Sequence, residues 1–313
     1  MKLQQLRFLV EVAQQGLNVS QAAEALYTSQ PGVSKQIKLL EDELGLIVFE
    51  RAGKRLTGVT EPGRQVIDIA RRILREAENL KKVGEEFTAE DAGLLTLATT
   101  HTQARYALPP IVKVFRERYP KVRLHLHQGN PMQVADWVES GEASIGIATE
   151  SLDDYPALLT LPCYQWSHGV VVPVDHPLAG AGAPTLPSLA RHPLITYDVA
   201  FSGGQRIRAA FERAGIEPDI VLTAIDADVI KTYVGLGLGV GIIARMAFDA
   251  QRDTGLAMLD AGHLFGSNTT RLAVRRGTLL RRFEYDFIEA FAPALTRKTI
   301  LAAMAGEGDN YQL

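Results

Sequence analysis

The chain has 313 residues, of which 46% are hydrophobic, and its 33 basic and 36 acidic residues leave a net charge of −3. This length predicts about two domains with ample core, and the small negative charge argues against a protein that coats nucleic acid with its whole surface. The sequence shows no apolar run of about 18 residues, no signal-peptide pattern and a single cysteine, Cys163, so we expect a cytoplasmic protein without internal disulfides or membrane contact.

The first sixty residues show the pattern of one helix followed by a helix-turn-helix. Apolar residues at helical spacing predict a first helix near the start and a second helix, which we expect Ser20 to cap. Tyr27 and Thr28 then make a turn, and Ser29 caps a third helix that has Pro31 in its first turn. One face of this third helix is predicted to be buried, through Val33, Ile37, Leu40 and Leu44.

The opposite face of the third helix is polar and cationic from its N-terminus onward. Such a face can enter the DNA major groove, with its early residues at base edges and the positive end of the helix dipole near phosphate. DNA contacts are therefore predicted for Ser29, Gln30, Pro31, Ser34, Lys35 and Lys38. An ordinary helical hairpin with a solvated outer face would show the same periodicity.

A basic hairpin behind the third helix favours the DNA-binding interpretation. Residues 49–57 have the pattern of two short strands around a tip that contains Gly53, and Arg51, Lys54 and Arg55 cluster there. In that place a hairpin forms a wing that can reach backbone phosphate or the minor groove. We predict a winged helix-turn-helix domain over residues 1–60.

A long helix is predicted from Thr60 to about Phe87. Apolar and small residues alternate along it at spacings of four and three, as in a coiled-coil seam: Val66, Ala70, Ile73, Ala77, Leu80 and Gly84. Pairing with the same helix of a second chain would place two recognition helices on a palindromic site. Packing on the C-terminal domain of its own chain is the alternative. We assign residues 61–90 to this linker helix and a hinge.

From Gly93 onward, strands and helices alternate, which predicts parallel sheets with right-handed crossovers. A region rich in proline and glycine at residues 174–187 separates two such runs, and a last strand and helix follow at residues 270–275 and 281–291. Residues 91–313 are thus predicted to form two α/β lobes with a ligand cleft between them. The whole chain is expected to be an α+β multidomain protein, with an effector domain of the periplasmic-binding-protein type.

Hydroxyl side chains follow three strand ends in this region. Residues 99–105 join a strand to a helix start, residues 201–206 repeat the arrangement with Ser202 and two glycines, and Thr149 ends a third strand. Hydroxyls beside helix N-termini suit a small anion or a carboxylate, and glycines allow a ligand close to the backbone. Each Thr or Ser alone could equally be a helix cap, and Trp166 could line the cleft or fill the core.

Catalytic and metal-binding patterns are missing from the sequence. His125 and His127 alternate along one strand, but no third ligand has suitable spacing. Cys163 has no adjacent base, and no G-x-S-x-G motif occurs. We therefore expect neither an enzyme nor a metalloprotein. A solute-binding protein would share the two lobes, but it would carry a signal peptide and no DNA-binding domain.

Over nearly its whole length the chain resembles the LysR-type transcriptional regulators. The helix-turn-helix indicates the wider family, whereas ATTHTQARYALP (residues 98–109) and DADVIKTYV (residues 226–234) resemble the CysB-like branch, which regulates sulfur assimilation and cysteine biosynthesis. A regulator of the related Cbl type, or of another small-anion pathway, is the alternative. Ser202 stands where this branch usually has threonine, and the tail is shorter.

The resemblance also implies partners and site residues. It implies a homotetramer on promoter DNA, built from homodimers that pair through the linker helix, with RNA polymerase as a candidate further partner. No cofactor is implied beyond a small effector such as acetylserine, sulfate or thiosulfate. The residues that the resemblance assigns to this effector are Thr100, Thr102, Gln103, Thr149, Trp166 and Ser202.

Overall fold

A computed structural model describes residues 1–53, 55–88 and 92–307 of the chain. The chain divides into two compact units, an N-terminal unit of residues 1–88 and a C-terminal unit of residues 89–313. None of the helices in the described ranges combines the length and apolar character that a membrane span requires.

The N-terminal unit is the predicted winged helix-turn-helix. Its elements are α1 (Leu3–Gln14), α2 (Val19–Ala25), α3 (Gln30–Leu44), the antiparallel strands β1 (Phe49–Ala52) and β2 (Arg55–Val59), and α4 (Glu61–Thr88). The core lies between the first three helices, the hairpin and the start of α4, and it is filled mainly by leucine, isoleucine, valine and phenylalanine. Tyr27 occupies the turn before α3 with a left-handed backbone (φ 50°).

The cap of α2 differs from the prediction. Asn18, rather than Ser20, begins this helix, because its side-chain oxygen accepts hydrogen bonds from the backbone N–H groups of Ser20 and Gln21, both at 3.1 Å. Ser20 therefore lies inside the first turn. The predicted cap of α3 is confirmed, since the Ser29 hydroxyl accepts a bond from the Gly32 N–H at 3.3 Å.

The end of α3 also departs from the predicted pattern. Leu44 was expected to be buried but is 38% exposed, whereas Glu41 is only 8% exposed. One Glu41 carboxylate oxygen accepts the backbone N–H groups of Val48 (2.9 Å) and Phe49 (3.1 Å), and the other lies 3.0 Å from Arg51 Nη2. The last turn of α3 therefore directs a carboxylate, not a leucine, at the start of the wing.

The long helix α4 has two different halves. Ala70 is buried, and Val66, Ile73 and Leu74 pack against the core of the N-terminal unit. Leu80, in contrast, is 74% exposed. The predicted seam is thus divided: its first half stabilises the winged domain, and an apolar part of its second half remains on the surface.

The C-terminal unit contains two α/β lobes. Lobe I comprises the strands β3 (Gly93–Thr99), β4 (Val122–Gln128) and β5 (Ile145–Thr149), with helices α5 (Leu108–Arg118) and α6 (Pro131–Ser140). The 16-residue strand β6 (Leu158–Pro173) then runs from lobe I into lobe II. Lobe II comprises α7 (Leu186–Leu189), β7 (Leu194–Tyr197), α8 (Ser202–Arg213), β8 (Ile220–Ala224), α9 (Ala227–Gly235), β9 (Val240–Ala244), β10 (Leu256–Asp260) and α10 (Gly262–Phe265). Lobe I is completed by β11 (Ser267–Arg275), α11 (Arg282–Phe291) and α12 (Arg297–Met304).

The strands form one hydrogen-bonded path in the order β4-β3-β5-β11-β6-β9-β7-β8, and β10 pairs with β6. The predicted parallel pairs are confirmed: β3 lies parallel to β4 and β5, and β7 lies parallel to β8 and β9. The strands β6, β10 and β11 pair antiparallel with their neighbours, so the sheet is mixed. The chain crosses between the lobes along β6 and returns before β11.

Candidate functional site

A cavity opens where the two lobes of the C-terminal unit meet. It contains about 430 Å³ of space not filled by atoms, open solvent at its mouth included. Lobe I and β6 supply Thr100, His101, Thr102, Gln103, Pro131, Thr149 and Trp166, and lobe II supplies Tyr197, Phe201, Ser202, Gly203 and Ile225. All six residues assigned to the effector by resemblance therefore line one cavity.

The lobe I wall is the turn that follows β3. Thr100 lies at its start, is 8% exposed, and its carbonyl accepts the N–H of Ala104 at 3.0 Å. The turn continues as a π-type helical segment, Gln103–Ala107, before α5 begins. Such wide turns recur at functional sites because they displace side chains from their usual helical positions.

Gln103 anchors this turn to the sheet behind it. Its side-chain nitrogen donates to the Thr270 hydroxyl at 3.1 Å, and its oxygen accepts a hydrogen bond from the Tyr164 hydroxyl. The residue is 1% exposed. Gln103 thus lines the cavity with an amide that is already bonded on both ends, which holds the turn in place.

Lobe II presents the start of α8 to the same space. The Ser202 hydroxyl donates to the Thr149 hydroxyl of lobe I at 2.8 Å, so the two lobes are hydrogen-bonded to each other at the cavity. The two glycines that follow have different roles. Gly203 lines the cavity, whereas a Cβ on Gly204 would lie 2.4 Å from the Asp198 carbonyl oxygen, so Gly204 is required by close packing rather than by a ligand.

Behind Trp166, which lines the cavity, lies a group of buried polar and aromatic side chains. Trp166 and His168 project from the same face of β6 with ring centres 5.1 Å apart, and Asn268 lies opposite Trp166 on β11. Within the described residues, Trp166 Nε1, both ring nitrogens of His168 and both polar atoms of the Asn268 amide are buried without a hydrogen-bond partner. Buried polar atoms of this kind are normally satisfied by water or by a ligand.

His168 should make the stability of the protein depend on pH. Burial, together with the charge of Arg206, lowers the pKa of His168 from 6.5 to about 4. Below the ordinary pKa the unfolded chain binds a proton that the folded chain does not bind, so stability is lost as the pH falls from about 6.5 towards about 4. We expect His168 to account for about 2 kcal/mol of the loss between about pH 7.5 and about pH 5.

The measurement is urea unfolding at both pH values for the parent chain, for His168→Phe and for a control, His125→Phe, which replaces an exposed histidine. The His168 variant should lose less stability on acidification than the parent and the control. Equal losses in all three proteins would refute the assignment.

Metal-ligating groups lie beside the cavity, but they are already engaged. Ligand atoms of His101, Asp226 and Asp228 lie within 4.8 Å of one another. Asp226 accepts the N–H of Val229 at 2.8 Å, and the Asp228 carboxylate is bonded to Arg105 and Tyr106. A metal ion would have to compete with these donors. Burial raises the pKa of Cys163 to about 12, so its thiol is not a nucleophile.

The predicted DNA-contact face lies on the surface of the N-terminal unit. Ser29, Gln30, Pro31, Lys35, Lys38 and Arg55 are exposed, and Ser34 is half-buried. The Gln30 side chain donates to the Ser34 hydroxyl at 3.2 Å. Arg51 was predicted to hold phosphate, but its guanidinium pairs with Glu41, so it also braces the wing. Lys54 lies outside the described residues.

These features define a class of protein: a DNA-binding regulator with a winged helix-turn-helix and a two-lobed ligand-binding domain. The family models agree. Residues 3–64 match the bacterial regulatory helix-turn-helix protein of the lysR family, and residues 88–296 match the LysR substrate binding domain. The chain belongs to the LysR family of bacterial transcriptional regulators. It is therefore a regulator of transcription and not an enzyme.

Comparison with individual relatives identifies the branch of the family to which the chain is similar. The chain is 54% identical to the HTH-type transcriptional regulator CysB of Burkholderia cenocepacia over 313 residues, which is all of both chains. It is 55% identical to the regulator SsuR of the same organism over 300 residues, which cover 96% of this chain and 97% of that one. The solved cofactor-binding domain of the Cbl transcriptional regulator is 47% identical, with a TM-score of 0.65, and the match covers 68% of this chain and 93% of that one. The predicted resemblance to the CysB-like branch is confirmed.

Proposed function

We propose that this chain regulates genes of sulfur assimilation and cysteine biosynthesis in the cytoplasm, and that a small anion between the two lobes controls its activity at promoter DNA. The observation that carries the proposal is the hydrogen bond between Ser202 of lobe II and Thr149 of lobe I. It brings hydroxyls from both lobes to one cavity, so a ligand that bonds to them would bridge the lobes.

The chemistry of the lining favours an anion held by hydrogen bonds. Within the described residues, the cavity lining includes no Asp, Glu, Lys or Arg, but it includes three threonines and a serine. Helix N-termini begin on both sides, at the turn after β3 and at α8. Hydroxyls and free backbone N–H groups bind sulfate, thiosulfate or the carboxylate of an acetylserine without a full counter-charge.

The test is a titration of the full chain with sulfate, thiosulfate and acetylserine. Trp166 lines the cavity, and Trp137 can be replaced by phenylalanine so that fluorescence reports the cavity alone. We expect at least one of these anions to change both the Trp166 fluorescence and the affinity for promoter DNA. If none of them does so in a chain that still binds its promoter, the proposal is wrong.

The second candidate is a regulator of the Cbl type that acts on sulfate-starvation genes. The similarity to SsuR and to the Cbl domain favours it. Footprinting on promoters of both gene sets would identify the operators that the chain prefers.

The wing should bind DNA phosphates without contributing to the recognition of a particular DNA sequence. We expect Lys54→Ala together with Arg55→Ala to weaken binding to all DNA sequences and to reduce the slope of log K against log salt by about 2 for each wing that contacts DNA, since each phosphate contact contributes about 0.9. Binding assays at several salt concentrations measure this slope. Lys113→Ala, on α5 of the C-terminal unit, is the control. An unchanged slope in the wing variant would contradict the assignment.

We also propose that the second half of α4 pairs with its copy in a dimer, and that two dimers form a tetramer that engages RNA polymerase at the promoter. Leu80 is 74% exposed and Val83 is 42% exposed on this helix. Leu80→Glu should convert the oligomer to smaller species in sedimentation, whereas Leu301→Glu, at a residue 45% exposed on α12, should not. An unaltered oligomeric state in the Leu80 variant would show that the second half of α4 does not form the dimer interface.

A further inference from the structure

The two segments that distinguish the CysB-like branch, residues 98–109 and 226–234, contact each other across the lobes. Arg105 Nε, from the turn after β3, lies 3.1 Å from Asp228 Oδ2 on α9 of lobe II. The hydroxyl of Tyr106 donates to Asp228 Oδ1 at 2.7 Å. Both donors belong to lobe I and the acceptor belongs to lobe II. We call these three residues the interlobe clasp.

Asp228 is held rigidly within its own lobe. Lys231 Nζ lies 3.3 Å from Asp228 Oδ1 and 3.0 Å from Asp253 Oδ2, and it donates to the Ala247 carbonyl at 2.8 Å. Lys231 is only 9% exposed. The acceptor of the clasp is therefore a fixed part of lobe II, and it can define the position of whatever binds to it.

Tyr106 connects the clasp to the interior of lobe II. Its ring packs against the core of that lobe, and the Lys231 ammonium lies 5.5 Å from the ring centre. Burial and the bond to Asp228 raise the pKa of Tyr106, so its hydroxyl remains a donor over the physiological range. The Arg105 pair is exposed and contributes less, because solvent screens it.

The clasp and the anion-binding hydroxyls belong to one short segment of chain. Thr100 and Thr102 line the cavity, and Arg105 and Tyr106 lie in the π-type segment Gln103–Ala107 that follows directly. Gln103 ties the same turn to the sheet of lobe I. The turn is therefore attached on both sides: to lobe I through Gln103 and to lobe II through Asp228.

We propose that the interlobe clasp positions the turn at residues 100–106, so that the hydroxyls of both lobes meet at one distance suited to a small anion. Arg105, Tyr106 and Asp228 are positioning residues: they do not line the cavity, but they set its width. This inference rests on the proposed function, because it assigns the effector affinity to a contact outside the cavity.

The decisive variants are Asp228→Asn and Tyr106→Phe in the full chain. Each keeps the side-chain shape and weakens the clasp. We expect each to reduce the affinity for sulfate about 3- to 10-fold, which is less than the loss of a direct hydrogen bond to the anion would cause, because the clasp acts on the anion only through the turn. The double variant should lose no more than the stronger single variant, since both remove the same contact. Glu212→Gln is the control, because it removes an exposed ion pair that lies within lobe II, along α8 (Arg208 Nε to Glu212 Oε1, 3.2 Å).

A second measurement tests the clasp in the absence of any ligand. Hydrogen exchange of the anion-free chain should become faster at residues 100–107 in Asp228→Asn but not in Glu212→Gln, while the unfolding temperature of both stays close to that of the parent. Unchanged exchange at this turn, or unchanged sulfate affinity in a chain that binds sulfate, would overturn the clasp. If the parent binds none of the anions, the proposed function fails, and the exchange data still decide whether the clasp holds the turn.

Discussion

Replacing Glu41 with alanine is expected to destabilise the N-terminal unit by about 3 kcal/mol and to abolish specific DNA binding. The variant leaves two buried backbone N–H groups, those of Val48 and Phe49, without their acceptor, and it removes the partner of Arg51. Because these bonds fix the wing to the end of α3, the wing should no longer lie beside the recognition helix.

The control is Asp42→Ala, which removes an exposed carboxylate from the same turn of α3. Urea unfolding followed by circular dichroism measures the stability of both variants, and gel-shift assays with a promoter fragment measure DNA binding. Hydrogen exchange at Val48 and Phe49 should be faster only in the Glu41 variant. Equal stability of the two variants would show that the wing does not depend on this carboxylate.

The sequence did contain an indication of this role. Residues 41–43 form an acidic run, which is typical of the solvated end of a helix. Position 41, however, follows Ile37 by four residues and therefore continues the buried face of α3. A carboxylate on an apolar face needs nearby donors, and these donors come from a hairpin whose position periodicity alone does not give. The helix pattern was therefore predictable, whereas the contact that orients the wing was not.

The lobes show the same division between local pattern and long-range pairing. The parallel β-α-β units were predicted because each strand and helix has its own periodicity. The 16-residue strand β6 was not predicted at its full length, since residues 162–168 mix polar and aromatic side chains and lack a continuous apolar run. In this stretch Trp166 lines the cavity between the lobes and the Tyr164 hydroxyl bonds to Gln103, and neither contact follows from the periodicity of the strand itself.

The cavity was partly predictable for the same reason. Thr100, Thr149 and Ser202 follow strand ends, and the ends of parallel strands meet at one edge of a sheet. The buried polar residues His168 and Asn268 behind Trp166 were not predicted, although His168 follows Tyr164 and Trp166 at a spacing of two on one face of β6. The clasp could not be predicted, because its two segments are more than a hundred residues apart in the chain.

Replacing Thr100 with valine should remove most of the response to effector without affecting promoter binding in its absence. Valine has nearly the same shape, and the turn itself is maintained by the backbone bond from Ala104 N–H to the Thr100 carbonyl. What is lost is one hydroxyl at an almost buried position, 8% exposed, on the wall of the cavity. A hydrogen bond to an anion contributes about 1.5–3 kcal/mol, so the affinity for sulfate or acetylserine should fall about 10- to 100-fold.

Calorimetry on the full chain measures this affinity, and promoter binding at increasing anion concentration measures the response. Thr160→Val is the matched control, because its hydroxyl bonds to Asp153 in the same lobe and does not line the cavity. Normal anion affinity in the Thr100 variant would place the effector elsewhere. If the Thr100 variant fails to bind the promoter in the absence of any anion, Thr100 has a structural role instead. Because the two readouts respond to different failures, this one substitution separates recognition of the anion from the stability of the turn that carries it.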